Sequence, residues 1–354
     1  MKQMGAEARE KGVICASAGN HAQGVAFACS SLKTHGIIYM PTTTPKQKIS
    51  KVKHFGGDWI EIRLTGDTFD DANKVALHHS DSENIPYIHP FNDEVVMAGQ
   101  GTIAKEILDE IKVPVDVLFV AVGGGGLISG VGSYFRQKSP LTRIIAVEAE
   151  GAPALAKSLQ ENKLVRLEHI DSFADGIAVK VIGDKTFEIC KDVIDDVKLV
   201  PEGKICSSIL SLYNDEAIVV EPAGAISFAA LDFYKEEIKG KNVVVIVCGG
   251  NNDITRTEDI RERALLWEGR KHYFIIRFPQ RAGALRDFLN LLGPDDDISH
   301  FEYTKKTNRD TGPALVGIEF KSEEDYLPLL DRMIAAGINY EHLNSNPMLF
   351  EMLV

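Results

Sequence analysis

At 354 residues the chain exceeds one ordinary hydrophobic core and implies about two or three domains. Its formal net charge of -12 excludes binding to a phosphate backbone, which needs clustered Lys and Arg to replace counterions. Cys15, Cys29, Cys190, Cys206 and Cys248 form neither a CxxC pair nor a disulfide framework, and no apolar run approaches the ~20 residues of a membrane span, so a soluble, cytoplasmic protein is expected.

The start, MKQMGAEAREKG, lacks the pattern of a signal or transit peptide. Met1 to Lys11 reads as a helix with no preceding element to pack against, which suggests a late start. Val13 to Cys15 supply a buried strand and Ala22 to Cys29 a small-residue helix, joined by the turn SAGNHAQG, Ser17 to Gly24. Gly19 and Gly24 offer backbone freedom there, and helix N-terminal amides favour a carboxylate or phosphate. Strands follow at Gly36 to Met40, Trp59 to Arg63, Val115 to Val122, Ile144 to Glu148 and Val243 to Cys248. Helical patterns lie between them at Thr68 to His79, Gly101 to Ile111, Gly203 to Asn214 and Ala223 to Lys235. This alternation predicts a doubly wound α/β architecture with parallel sheets. After the charged stretch Asp253 to Trp267 the pattern changes: HYFIIRF, a helix at Gly283 to Leu292, further strands and a last helix near Tyr326 to Ala335 sketch a β-α-β-β-α-β module of roughly 85 residues. The expected segments are 1-95, 96-268 and 269-354.

Two further stretches carry chemistry. In VAVGGGGLISG a strand runs into Gly123, Gly124, Gly125 and Gly126, whose successive backbone donors at a helix start suit a phosphate monoester. A ligand-free glycine turn is the plain alternative. A dinucleotide loop of an NAD-binding dehydrogenase is another, with Glu148 as the ribose-binding acid, although Ser129 stands where the third glycine belongs. In VVVIVCGGNND the strand ends at Cys248, aimed at the crevice where α/β sheets place ligands, or else a small buried hydrophobe.

Other residues carry competing readings. His21 either contacts a ligand or only orders its turn. Glu221 and Asp175 read as helix-start carboxylates held by backbone donors and are left outside the catalytic set. His78 and His79 read as a solvated pair, and Arg281, Leu285 and Phe288 as an interface stripe or effector contacts.

Together SAGNHAQG, GGGGL and CGGNN, with EPAGA at Glu221 to Ala225, FADGIAV at Phe173 to Val179 and FPQRAGAL at Phe278 to Leu285, resemble the pyridoxal phosphate enzymes of fold type II, most closely the threonine dehydratases (threonine ammonia-lyases). The resemblance implies parallel sheets in two subdomains, related to the tryptophan synthase β fold, plus a C-terminal α+β ACT-like regulatory domain. Carried over by position, it implies that Asn20 bonds the pyridine 3-hydroxyl, that Gly123, Gly124, Gly125, Gly126 and Leu127 cradle the cofactor phosphate, and that Cys248 faces the ring nitrogen. Ser17, Gly19 and His21 flank the substrate carboxylate. The two glycine-rich turns and Cys248 are thus expected to converge on pyridoxal 5'-phosphate.

The implied reaction is deamination of L-threonine to 2-oxobutanoate and ammonia, the first step of isoleucine synthesis, with isoleucine or valine as allosteric effector and a homotetramer as the assembly. Serine is a possible second substrate. In the family an SFKxRGA segment ahead of the first turn supplies the Schiff-base lysine. No such segment occurs here, and Lys2 and Lys11, the only lysines before the turn, read as solvated, so no catalytic residue is assigned and the segment is expected just before Met1. The chain as written is therefore expected to be inactive or to fold poorly at that edge. Glu148 resembles the first carboxylate of the divalent-metal site in serine racemases, but Ala154 stands at the later acidic position, so no metal is expected. The remaining readings are a catabolic serine/threonine dehydratase or serine racemase, and a non-catalytic or amino-acid-binding subunit.

Overall fold

The computed structural model describes residues 1–304 and 310–354, which form two compact units, Met1–Ile254 and Thr255–Val354. The first unit holds two parallel sheets. Its first sheet has the order β1 (Val13–Ala16), β2 (Gly36–Met40), β3 (Ile60–Leu64). Alternate residues of β1 and β2 point to opposite faces: Val13, Cys15, Ile38 and Met40 pack with helix Asn20–Leu32, and Ile14, Ala16, Ile37 and Tyr39 pack with helix Phe69–Glu83. Burial on both faces explains why these strands read as unbroken apolar runs.

The second sheet has the order β6-β5-β4-β7, from β4 (Val117–Ala121), β5 (Arg143–Ala149), β6 (Asp196–Val200) and β7 (Val243–Val245), all parallel. Its core gathers Leu118, Val120, Ile128, Val131, Phe135, Ile144, Ala146 and Phe187. The doubly wound expectation holds. The strand expected to reach Cys248 leaves the ladder after Val245, and β6, whose sequence DVKLV mixes polar and apolar residues, has no counterpart among the expected strands.

The expected unsupported helix at the start is a single short one, Ala6–Glu10, with no buried residue; Met1 and Met4 instead anchor this segment by packing on the core of the first sheet. His79 is also not solvated. Its Nδ1 meets Tyr39 Oη at 2.9 Å and its Nε2 meets Glu83 at 3.2 Å, because the Tyr39 hydroxyl needs a partner on the face covered by Phe69–Glu83.

The second unit begins with helix Thr257–Trp267, followed by an antiparallel sheet ordered β11-β8-β10-β9: β8 (Lys271–Pro279), β9 (Asp297–Tyr303), β10 (Thr311–Glu319) and β11 (Tyr340–His342). Helices Ala284–Leu289 and Tyr326–Ala335 complete the β-α-β-β-α-β order. Phe288 is fully buried against Phe278 in this core, so it is no part of an exposed stripe; Leu285 is exposed, and Arg281 pairs with Asp287 at 2.7 Å.

Candidate active site

The strand order places the site. From β4 the chain winds outward to β5 and β6, then returns to the other side of β4 as β7, which makes the β4/β7 boundary a topological switch point. Val117 pairs with Val243 and Phe119 with Val245, so the two chains leave the sheet side by side, one as Gly123–Gly126 and the other as Cys248–Asn252.

Helix Gly126–Lys138 starts from this glycine loop, and Gly125 has φ +90°. The loop has no room for side chains: a methyl on Gly124 would overlap the Phe91 ring, and one on Gly123 would lie 2.8 Å from Ile177 Cα. Gly124 O accepts from Thr186 Oγ1 at 2.7 Å. Among the described residues the amides of Gly123, Gly124, Gly125, Gly126 and Leu127 meet no protein acceptor.

The first turn leaves β1 at its carboxyl end. Gly19 N donates to Ser17 Oγ at 3.2 Å, and helix Asn20–Leu32 begins immediately after. Gly19 and Gly24 do not have positive φ, and a methyl on either would meet nothing within 4 Å. Their small size keeps space open; the expected need for backbone freedom is not seen. His21 Nε2 lies 3.0 Å from Ile88 O, an arrangement that makes Nε2 the donor, and burial lowers its pKa so that the ring is neutral. Ile88 leads into Phe91, whose ring covers Gly124, so one short segment joins the first turn to the glycine loop.

Glu221 ties the remaining pieces together. It stands at the start of helix Pro222–Ala229 but makes no side-chain cap there, contrary to the helix-start reading. Its Oε1 accepts from Asn20 Nδ2 at 2.7 Å and its Oε2 from Asn251 N at 3.1 Å. Gly224 permits the close approach of this helix to the third stretch, since a methyl there would collide with Cys248 O. The Cys248 thiol is half-buried, lies 4.0 Å from Ala223 O, and is pushed up to about 11 by burial and then by Glu221.

Helix Lys46–Gly56 supplies further links that the sequence reading missed. Lys48 pairs with Asp175, Lys51 Nζ donates to Asn251 Oδ1 at 3.0 Å, and Gln47 Nε2 donates to Asn252 O at 3.4 Å. The only available signal was a run of cations spaced along one helix, which reads equally well as a solvated face.

This geometry has known counterparts. Residues 2–249 match the family model described as pyridoxal-phosphate dependent enzyme, and residues 262–353 match that of the C-terminal regulatory domain of threonine dehydratase. An L-threonine dehydratase biosynthetic IlvA of Bacillus subtilis is 56% identical over 355 residues, covering 100% of this chain and 84% of the relative; that of Halalkalibacterium halodurans is 55% identical over 349 residues, covering 98% and 84%. The chain belongs to the threonine dehydratase family of pyridoxal-phosphate-dependent enzymes. The processed form of threonine deaminase isoform 2 from Solanum lycopersicum superposes with a TM-score of 0.71 at 42% identity, over 75% of this chain and 76% of that one.

The residues present fit the cofactor of a threonine dehydratase. The free amides of the glycine loop, at a helix start and beneath a ring that excludes side chains, suit a phosphate dianion. The dinucleotide reading loses its acid: Glu148 is 1% exposed, and its two oxygens accept from Leu155 N and Ala156 N. No group of three or more potential metal ligands occurs among the described residues, and no described helix is long and apolar enough to cross a membrane.

Proposed function

We propose that this threonine dehydratase chain binds pyridoxal 5'-phosphate at the β4/β7 switch point and deaminates L-threonine to 2-oxobutanoate and ammonia. The observation that carries this reading is the side-by-side exit of the glycine loop and the Cys248 loop, with Asn20 bonded to Glu221 beside them. The amides of Gly123 to Gly126 and Leu127 hold the phosphate, Asn20 the ring oxygen, and Ser17, Gly19 and His21 the substrate carboxylate. When bound, the cofactor supplies an electron sink that lets the α-proton and then the β-hydroxyl leave.

Cys248 faces the pyridine nitrogen as a neutral thiol, since its pKa is pushed up to about 11. It would add no negative charge beside that nitrogen and so would not hold it protonated, as a carboxylate would. Neutral His21 orients without adding charge. The 354 residues contain no SFKxRGA match, and no lysine of the chain is assigned the role of Schiff-base amine or α-proton base.

Feedback by isoleucine or valine is supported by the C-terminal regulatory-domain match. A homotetramer in the cytoplasm follows by analogy with the family, in keeping with five cysteines outside any disulfide. The test joins an SFKxRGA-bearing segment ahead of Met1 and supplies pyridoxal phosphate and L-threonine. Formation of 2-oxobutanoate, reduced by isoleucine, is expected. Absence of bound cofactor overturns the reading, and cofactor binding without turnover identifies a non-catalytic subunit.

A further inference from the structure

Glu221 is only 5% exposed and sits in a slot whose walls are glycines. Gly249, at φ +79°, would overlap the carboxylate if it carried a methyl, and a methyl on Gly176 would lie 3.3 Å from Oε1. Glu221 N donates to Gly249 O at 3.0 Å, and Gly224 N donates to Glu221 O at 2.8 Å, so the backbone is held as firmly as the side chain. Burying a carboxylate is costly unless its partners are good ones. Here one of those partners is Asn20, 201 residues away, whose own side chain is otherwise open to solvent.

An asparagine amide has two nearly isosteric ends, one donating and one accepting, and nothing in its shape selects between them. An ionised carboxylate accepts only. It selects Nδ2, takes one of its two N–H bonds and leaves the other in a settled direction. Burial, and to a lesser degree Asp175, raises the pKa of Glu221, while the bonds from Asn20 and Asn251 N and the charge of Lys48 favour its ionised form; Cys248 is a further titratable neighbour.

On the pyridoxal phosphate reading above, we propose that Glu221 is a positioning residue that locks the Asn20 amide so that its second N–H is presented to the cofactor's ring oxygen. The carboxylate acts through Asn20 and does not itself touch the cofactor.

The experiment uses the full chain joined to the SFKxRGA-bearing segment of the test above, with pyridoxal phosphate alone as the probe, and follows both affinity and the pH titration of the bound cofactor's absorbance. Glu221→Gln, which retains the shape but can pair with either end of the amide, is expected to weaken binding about tenfold and to raise the pH at which the ring oxygen loses its proton. Asn20→Ala should cause the same shift, and the double variant no more than either alone, as for residues acting as one unit. Gly249→Ala, which crowds the carboxylate without removing it, should shift the titration in the same direction even if Glu221→Gln folds poorly. A Glu221→Gln or Gly249→Ala titration identical to wild type, or additive effects in the double variant, overturns the positioning role. Failure of the unmutated chain to bind the cofactor overturns the underlying reading together with it.

Discussion

Glu148 Oε1 accepts the amide of Leu155 at 2.8 Å, with the partner oxygen on Ala156 at the same distance, so a fully buried carboxylate sits across the start of helix Ala154–Glu161. Burial outweighs these two bonds and raises its pKa to about 7 from 4.5. A carboxyl whose folded pKa is raised contributes stability that is present below pH 4.5 and lost as pH rises through 7. The loss across that window is about 3 kcal/mol. Urea unfolding at pH 5 and pH 8 checks this, and Glu148→Gln should flatten the slope while weakening the helix start.

The second unit should respond to pH in the opposite sense. His272 Nδ1 lies 2.9 Å from His342 Nε2, His272 Nε2 faces Gly269 O at 2.9 Å, and the His272 ring stacks on Tyr326 at 3.8 Å. Burial lowers both pKa values, that of His342 to about 4 from 6.5. Stability from this pair is present above pH 6.5 and lost as pH falls through 4. Trp267 lies in this unit and Trp59, the other tryptophan, in the first, so substituting Trp59 isolates the reporter. Its urea midpoint should fall between pH 7 and pH 5, and His342→Gln should reduce that change.

Gly130 and Gly99 should give opposite results for the same substitution. Helix Glu94–Glu110 crosses helix Gly126–Lys138 at Gly101 and Gly130, where a methyl on Gly130 would overlap Met97 O. Gly130→Ala must separate the helices and should cost about 1–3 kcal/mol. Gly99, in the first of these helices, would meet nothing, so Gly99→Ala should stabilise by about 0.5–1 kcal/mol. Denaturant midpoints at unchanged slope measure both, and a stabilising Gly130→Ala would refute the packing argument.

Gly125 joins strain to crowding. At φ +90° any side chain is disfavoured, and its methyl would lie 2.8 Å from Thr186 Cβ. Gly125→Ala should lower stability by about 1–3 kcal/mol and weaken cofactor phosphate binding. Inorganic phosphate competing for pyridoxal phosphate should lose affinity in parallel.

The local elements were legible because their signals are local. The apolar run Gly36–Met40 is the strand, Tyr326–Ala335 is the helix, and the four glycines mark a loop between strand and helix. Phe288 belongs to the core and not to an interface stripe, a distinction helical spacing does not carry, because it shows that a face is apolar and not which side of it meets the core. Glu221 follows the same logic: a carboxylate ahead of Pro222 reads as a cap, and its bonds from Asn20 and Asn251, with the clearance at Gly249 and Gly176, show that it turns away from its own helix.

By itself, then, the sequence determined the alternation of strands and helices, the chemistry of the three motif stretches and the family they resemble, since each follows from neighbours within a few residues, whereas β6, with its mixed polar and apolar residues, was not legible. Only the tertiary structure decided that β7 lies beside β4, that Asn20 meets Glu221 across 201 residues, and that Glu148 serves a helix start instead of a ligand. The physical reason is that burial and hydrogen-bond partners are properties of folded neighbours, and residue type and spacing do not specify them.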